Sequence, residues 1–223
     1  MCWLYTGTFG SFIGFSAAFP LLSKILFPDV NALRYAFLGP LVGALARAAA
    51  GKPCDRVGGG RITVWVFAAM SLGTIGILYA IGMKTDPTAF PVFFASFLFL
   101  FAASGVGNAS TFQMIPAIMR KEVARLEPGM NATELVRQSD KESAAIIGFT
   151  SAVAAYGAFF IPKSFGTSIA LTGGASFALY IFLAYYMSCI ALTWWVYTRR
   201  DGLLFDVEHG GQSGGRAAAN VGE

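Results

Sequence analysis

The sequence contains few charged residues, which make up only 13% of its 223 residues. A soluble domain averages about 25% charged residues, whereas this chain is 56% hydrophobic. Its 21 phenylalanines and 26 glycines fit a membrane protein, because glycine is more frequent in membrane helices than in soluble ones. We therefore expect an integral membrane protein embedded in a lipid bilayer. The formal charge of +4 does not indicate a nucleic-acid partner, since the basic residues lie in short loops.

Residues typical of metal sites and enzymes are also scarce. The single histidine is His209, and Cys2, Cys54 and Cys189 lie far apart without a CxxC pattern, which argues against a disulfide framework or a zinc site. The sequence has no Ser–His–Asp or Walker pattern, and no Asp, Glu or His lies inside the apolar runs described next. We therefore predict a protein that is not an enzyme and that uses no metal or other cofactor.

Continuous apolar runs predict an all-α fold. A membrane-spanning helix needs about 20 mainly apolar residues, and unbroken runs favour helices over the alternating strands of a barrel. Six stretches qualify, at 3–23, 32–51, 62–82, 90–119, 143–162 and 174–198. The sequence thus predicts a bundle of six transmembrane helices over residues 1–200, followed by a disordered cytoplasmic tail over 201–223.

Lysine and arginine are distributed unevenly between the loops. Most lie in 52–61, in 120–141 and in the tail, whereas the opposite loops hold only Lys24, Lys84 and Lys163, with Arg34 at a span edge. Because positively charged loops stay on the cytoplasmic side, both termini are predicted to be cytoplasmic, in the inner membrane of a bacterium. The first residues lack the basic region of a signal peptide and enter a span at once, so we expect a fragment of a longer protein.

Arg47 lies within the second apolar run, and the nearest acid in sequence is Asp55, beyond Gly51 and Pro53. A guanidinium at membrane depth costs about 2.5–3.5 kcal/mol and usually faces a cavity or a partner. Its rigid, permanently charged fork of donors suits a planar oxyanion. Two interpretations remain open: Arg47 binds an anion, or it lies near the helix end and extends to lipid headgroups.

Other polar and aromatic residues occur at membrane depth in the first and fourth runs. The spacing of Tyr5, Phe9, Phe12 and Ser16 predicts one helical face, which can serve packing or a site. In the fourth run, Asn108 and Gln113 are amides that we expect to face protein or a cavity. Nearby small residues favour close helix contact; these are Gly105, Gly107, Ser110 and Thr111.

The fifth run repeats small residues at four-residue spacing. Gly148 pairs with Ala152, and Ser151 pairs with Ala155. Tight helix packing explains this pattern, and so does a backbone brought close to a ligand.

The stretch GKPCDRVGGGR resembles the G-x-x-x-D-R-x-G-x-x-R loop of the major facilitator superfamily, which joins the second and third helices of each six-helix half. The matching positions are Gly51, Asp55, Arg56, Gly58 and Arg61. Three more stretches resemble the nitrate/nitrite porter family of that superfamily: GFTSAVAAYGAFFIPKSFG at 148–166, which is similar to its second nitrate signature, GTFGSFIGFSAAF at 7–19 and GVGNASTFQMIP at 105–116. The resemblance covers nearly all of residues 2–200.

This resemblance implies transport of nitrate and nitrite anions by alternating access, with Arg47 clamping the anion, Tyr5 donating a hydroxyl and Phe9 closing over it. Ser151 matches a position that lines the passage, and Asn108 is added for its polarity and depth. The family has twelve helices, and this chain resembles only the last six. The resemblance therefore implies a missing amino-terminal six-helix half, present either in a longer protein or as a partner.

The absence of Asp, Glu and His from the predicted spans favours nitrate/nitrite exchange over a nitrate–proton symporter, because proton relays need such groups. Two further alternatives are a porter for another small organic anion and a membrane interaction subunit with no transport activity of its own.

Overall fold

The computed structural model describes residues 1–198, and within these residues the secondary structure is helical without strands. The long helices are α1 (Cys2–Leu26), α2 (Leu38–Val57), α3 (Gly59–Gly82), α4 (Ala89–Leu126), α5 (Ala132–Thr172) and α6 (Ser176–Thr193), which continues as a π-helical turn at Trp194–Thr198. The predicted tail at 201–223 lies outside the described residues, as do the side chains of Asp55 and Arg56.

Five of these helices are long and apolar enough to cross a membrane, which confirms the expected all-α integral membrane protein. The exception is α2, whose final turns carry Lys52, Asp55 and Arg56. Those charges reduce the mean hydropathy of a helix that has 20 residues. The prediction of six spans is therefore supported for five. The second span also begins later than predicted, because residues 32–37 hold only a 3-10 turn at Ala32–Arg34.

The predicted loop at 52–61 is wrong, because helix continues through most of it. Gly51, Asp55 and Arg56 belong to α2, and Arg61 lies in the first turn of α3. The chain reverses at Gly58, whose φ of 97° is a conformation that glycine adopts without steric cost. The motif is thus a helix–glycine–helix junction.

The predicted loop at 120–141 is also wrong. α4 runs through Pro116 to Leu126, and α5 begins at Ala132, where the side chain of Asn131 accepts a hydrogen bond from the Thr133 backbone N–H. With 38 residues, α4 is about 57 Å long at 1.5 Å per residue, which exceeds a hydrocarbon core of about 30 Å. The charged ends of α4 and α5 therefore extend beyond the membrane.

The fifth predicted span, 143–162, is only the inner part of α5. That helix has two segments, Ala132–Ala155 and Gly157–Thr172, with a break at Tyr156. α1 packs against the second segment, while α4 packs along both α2 and α3. A cluster of aromatic rings fills the centre, where Phe97 contacts Phe15 at 5.8 Å and Phe19 at 5.2 Å between ring centroids. The candidate site residues lie on α1, α2, α4 and α5 of this bundle.

Candidate functional site

Arg47 is half-buried on α2, and its guanidinium carbon lies 5.6 Å from the ring centroid of Phe112 on α4. A guanidinium within about 6 Å of an aromatic centroid is attracted by the ring quadrupole. Among the side chains that the structure describes, no carboxylate forms an ion pair with Arg47. The positive charge thus lies against an aromatic face, and the N–H donors of the Arg47 guanidinium are left available to an anion.

Glycines bring α2 and α4 together beside this pair. The backbone of Gly43 lies directly against Gly105, so that a methyl group at Gly105 would overlap the Gly43 carbonyl. Arg47 follows Gly43 by four residues and Phe112 follows Gly105 by seven, which places each side chain on the contacting face of its helix. The close approach expected at Gly105 is confirmed, and it is what holds Arg47 against Phe112.

Asn108 lies on α4, one turn before Phe112, and is only 1% exposed. Its Oδ1 is buried and accepts no hydrogen bond from the described residues. Gln113 donates from Nε2 to the Gly51 carbonyl at 3.3 Å, while its Oε1 is likewise unpaired. An unsatisfied buried polar group costs about 1–3 kcal/mol. Both amides face protein, as expected, and Asn108 places an amide oxygen without a partner among the described residues one turn from the ring that lies beside Arg47.

Tyr5 and Phe9 form a stack at the start of α1. Their ring centroids are 5.3 Å apart with an interplanar angle of 16°, and Tyr5 is only 3% exposed. Between them α1 winds as a π-helix over Thr6–Gly10, a feature frequent at functional sites. The two rings share a face, as the spacing predicts, although Phe12 instead packs edge-on against Phe101.

A hydroxyl pair ties this π-helical segment to α4. The Oγ1 atoms of Thr8 and Thr111 are 3.2 Å apart, and Thr111 donates its proton to the Gly107 carbonyl at 2.7 Å. Thr8 therefore donates to Thr111, which is the residue before Phe112. The Tyr5–Phe9 stack and the Arg47–Phe112 pair are thus linked through adjacent residues of two packed helices.

Ser151 lies on α5 and is half-buried. It precedes by one turn Ala154, whose carbonyl oxygen would be 2.9 Å from a methyl group at Gly10. Its small-residue neighbours are not packed, because Ala152 and Ala155 are exposed and a methyl group at Gly148 would meet no described atom within 4 Å. Tight packing within the described residues therefore does not explain this pattern. The segment of α5 that carries Ser151 packs against both α1 and α4, the helices that hold Tyr5, Phe9 and Asn108.

Sequence reasoning missed Phe112, Thr8 and Thr111. The signal for Phe112 was its position four residues after Asn108, which places both on one face of α4. The Thr8–Thr111 pair has no signal in either helix alone, because it joins residues that are far apart in sequence. Within the described residues, no group of three His, Cys, Asp or Glu side chains could hold a metal ion.

No protein-family model matches the chain. Curated proteins are nevertheless similar to it in sequence. The chain is 47% identical over 200 residues to the nitrate/nitrite transporter NarU of Salmonella typhimurium strain LT2, an alignment that covers 88% of this chain and 43% of the relative. The Escherichia coli K12 protein of the same name is 44% identical over 199 residues, with the same coverage of each chain. The probable nitrate/nitrite antiporter NarK2 of Thermus thermophilus is 38% identical over 209 residues, covering 88% of this chain and 41% of the relative.

All three relatives carry transporter names and none is named as an enzyme, in agreement with the expectation from the sequence. The chain spans less than half the length of the relatives that it matches. Identity of 38–47% over 88% of the sequence, together with the apolar helices, establishes the relationship. Over 88% of its length, this chain is therefore a homologue of nitrate/nitrite porters.

Proposed function

We propose that this chain is the carboxy-terminal half of a nitrate/nitrite transporter of the major facilitator superfamily, and that it works by alternating access. The observation that carries the proposal is the half-buried Arg47, held by the ring of Phe112 and without a carboxylate partner among the described side chains. A permanent positive charge at membrane depth needs a counter-charge, and a transported anion supplies it. The names of the relatives support nitrate or nitrite as that anion.

The site residues divide the work of binding a planar anion. Arg47 supplies charge and a fork of N–H donors that matches two oxygens of nitrate. Tyr5 donates a hydrogen bond from its hydroxyl, and Phe9 shapes the site and excludes water from the anion. Asn108 supplies an amide, whose NH₂ donates to the anion when the side chain turns. Ser151 lines the passage next to this group.

A second six-helix half completes the transporter in this proposal. The chain covers 43% of the NarU relatives, which leaves room for such a half in the longer proteins. The open face around Gly148 and Ser151 is suited to meet it, because small residues allow helices to approach closely. We assign α2 as the sixth spanning helix of this half. The junction from Gly51 to Arg61 then works as a conformational element, with Gly58 as the point where α2 and α3 turn relative to each other.

Tryptophan positions support placing both termini at the same membrane–water interface, and the positively charged helix ends on that side favour the cytoplasm of a bacterial cell. Trp3 and Trp65 lie near the starts of α1 and α3, and Trp194 and Trp195 lie at the end of α6. All four are more than half exposed. Successive helices alternate in direction, so these ends lie on one side of the bundle, and exposed tryptophans collect at the membrane–water interface. The charged ends of α4 and α5 extend on that same side.

Exchange is the mode that this site favours. Moving one negative charge inward against an inside-negative potential of 100 mV costs about 2.3 kcal/mol. Returning another anion outward cancels that cost, and an empty site with an uncompensated Arg47 is costly to move. A proton symporter would place a titratable group in the path, and here the amino-terminal half would have to provide it. One of the relatives is named a probable antiporter.

Counterflow in proteoliposomes tests this proposal with the full-length protein. Nitrate uptake should require internal nitrite or nitrate and should ignore an imposed pH gradient. Arg47→Lys should abolish uptake, because an ammonium does not reproduce the planar bidentate fork. Arg34→Lys is the matched control, since Arg34 is exposed in a connecting turn.

Three results would count against the proposal. Uptake into empty vesicles driven by the pH gradient would establish a nitrate–proton symporter instead of an exchanger. Normal uptake by the Arg47→Lys protein would mean that Arg47 only reaches toward headgroups. Absence of any anion flux in a well-folded preparation would support a membrane interaction subunit.

A further inference from the structure

A cavity of about 500 Å³ lies between α1, α5 and α6, outside the candidate anion site. Its walls include Trp3 and Thr6 of α1, Phe160 of α5, and Ile181 and Tyr185 of α6. The lining formed by the described residues contains no charged side chain. The mouth is flanked by exposed apolar groups, with Phe160 59% and Ile181 50% exposed. The cavity is therefore an apolar space that opens through the side of the bundle.

Ordered contacts hold the walls of this cavity. The rings of Trp3 and Tyr185 meet edge to face at 4.7 Å, and the Tyr185 hydroxyl donates to the Trp3 carbonyl at 2.6 Å. One turn earlier on α6, Phe182 packs against Phe15 at 5.7 Å and Phe165 at 5.4 Å between centroids. These contacts join α6 to α1 and α5, so the space is a built feature of the fold.

The length and level of the cavity match one leaflet of a bilayer. Along α1 it runs from Cys2 to Ser11, which is about 14 Å at 1.5 Å per residue. Half of a hydrocarbon core of about 30 Å is about 15 Å. Trp3 marks the end at the membrane–water interface, so the cavity extends from that interface to the middle of the membrane.

The candidate anion-site residues of α1 lie on a different face of that helix. The cavity is lined by Trp3, Thr6 and Gly10, whereas Tyr5 stacks on Phe9 and takes no part in the lining. The hydroxyl of Ser11, which reaches the cavity wall, lies 2.8 Å from the Tyr186 hydroxyl and is thereby paired. Water needs two to four polar partners to occupy a cavity, and this lining supplies few. An anion would find no positive charge there.

We propose that this cavity holds an acyl chain of a membrane phospholipid, taken from the leaflet on the side of the Trp3 interface. The chain enters between α5 and α6 and lies against the π-helical segment of α1, in van der Waals contact with Phe160 and Ile181. The inference rests on the protein being embedded in a membrane and does not depend on which anion it carries.

The test is retention of phospholipid by the complete transporter after detergent exchange and gel filtration. Bound phospholipid is extracted and counted by mass spectrometry in the wild type, in Ile181→Trp and in Ile75→Trp. The larger ring at position 181 fills the cavity, so retained phospholipid should fall at least fivefold. Ile75 is the matched control, because it is 49% exposed on α3 and lies away from the cavity; its variant should retain as much phospholipid as the wild type.

A second measurement leaves the cavity lining unchanged. In a complete transporter in which every other tryptophan, including Trp65, Trp194 and Trp195, is replaced by Phe, phospholipid brominated at mid-chain should quench Trp3 fluorescence, and the quenching should persist after dilution into unlabelled micelles. Rapid loss of quenching would overturn the proposal. So would equal phospholipid retention in the wild type and Ile181→Trp, or an equal loss in both isoleucine variants. Cross-linking of Cys2 to the amino-terminal half through the cavity would show that protein fills it instead.

Discussion

The contact between Gly157 of α5 and Gly10 of α1 offers a sharp test of how the helices around the site are held. A methyl group at Gly157 would lie 2.5 Å from the carbonyl oxygen of Gly10 and 2.6 Å from its Cα. Both neighbours are backbone atoms, which cannot move aside as a flexible side chain would. Gly157→Ala therefore forces the two helices apart by about 1 Å to reach ordinary contact at 3.4 Å.

The size of the effect follows from this overlap. Overpacking of a well-packed interior costs about 1–3 kcal/mol, and for a chain of this size each kcal/mol lowers the melting temperature by about 2–4 °C. We therefore expect Gly157→Ala to melt several degrees below the wild type. Gly166→Ala is the control on the same helix, because a methyl group there meets no described atom within 4 Å and Gly166 is exposed. It carries the same change in helix propensity without the overlap.

The measurement is thermal unfolding of the complete transporter in detergent, followed by tryptophan fluorescence. Nitrate uptake by the same proteins then shows whether separating α1 from α5 also displaces the Tyr5–Phe9 stack. If Gly157→Ala has the same melting temperature as the wild type while both glycine variants remain folded, α1 and α5 are not tightly packed at this contact. The packing argument for the site then fails.

Two further predictions concern α4. Asn108→Leu should raise the melting temperature, because it removes a buried acceptor that lacks a partner. It should also reduce nitrate flux if the amide binds the anion. Unchanged flux in the stabilised protein would mean that Asn108 has a structural role only. Phe112→Leu removes the ring under Arg47, a contact worth about 0.5–2 kcal/mol, and should weaken nitrate binding severalfold. Phe112→Trp keeps an aromatic ring and should preserve nitrate binding. Equal binding by the Leu and Trp proteins would contradict a cation–π role.

The sequence predicted the apolar interior of the helices better than their ends. The third predicted span, 62–82, differs from α3 (Gly59–Gly82) only at its start. The loops at 52–61 and 120–141 were wrong because charged residues were taken as the end of a helix. Charge marks where a helix leaves the hydrocarbon, but the backbone hydrogen bonds continue into water. Arg120 and Asp140, 3.7 Å apart, illustrate this, since both belong to helices outside the apolar region.

Contacts between helices were the part that a sequence cannot provide. Gly148 and Gly157 belong to the same glycine-rich run, yet one meets no described atom and the other touches the backbone of Gly10. Arg47 was identified from its charge in an apolar run, whereas its partner Phe112 is one of 21 phenylalanines, and its spacing from Asn108 shows a shared face of α4 but not which residue of α2 lies opposite. The π-helical turn at Thr6–Gly10 likewise has no recognised sequence signal. Each of these depends on which helix lies opposite.

The way α1 is held has a consequence for movement at the site. Its middle is joined to α4 by the Thr8–Thr111 hydroxyls and to α6 by the Ser11–Tyr186 hydroxyls, at 3.2 Å and 2.8 Å. A hydrogen bond of this kind contributes about 0.5–1.5 kcal/mol net, and a hydroxyl can rotate toward a carbonyl of its own helix; Thr8 already lies 3.4 Å from the carbonyls of Leu4 and Tyr5. The Thr8 contact with α4 can therefore be exchanged for one within α1 without leaving the Thr8 donor unpaired. Because Tyr5 and Phe9 flank Thr8, a shift of α1 against α4 would move their rings relative to Arg47, which is the kind of motion that alternating access requires.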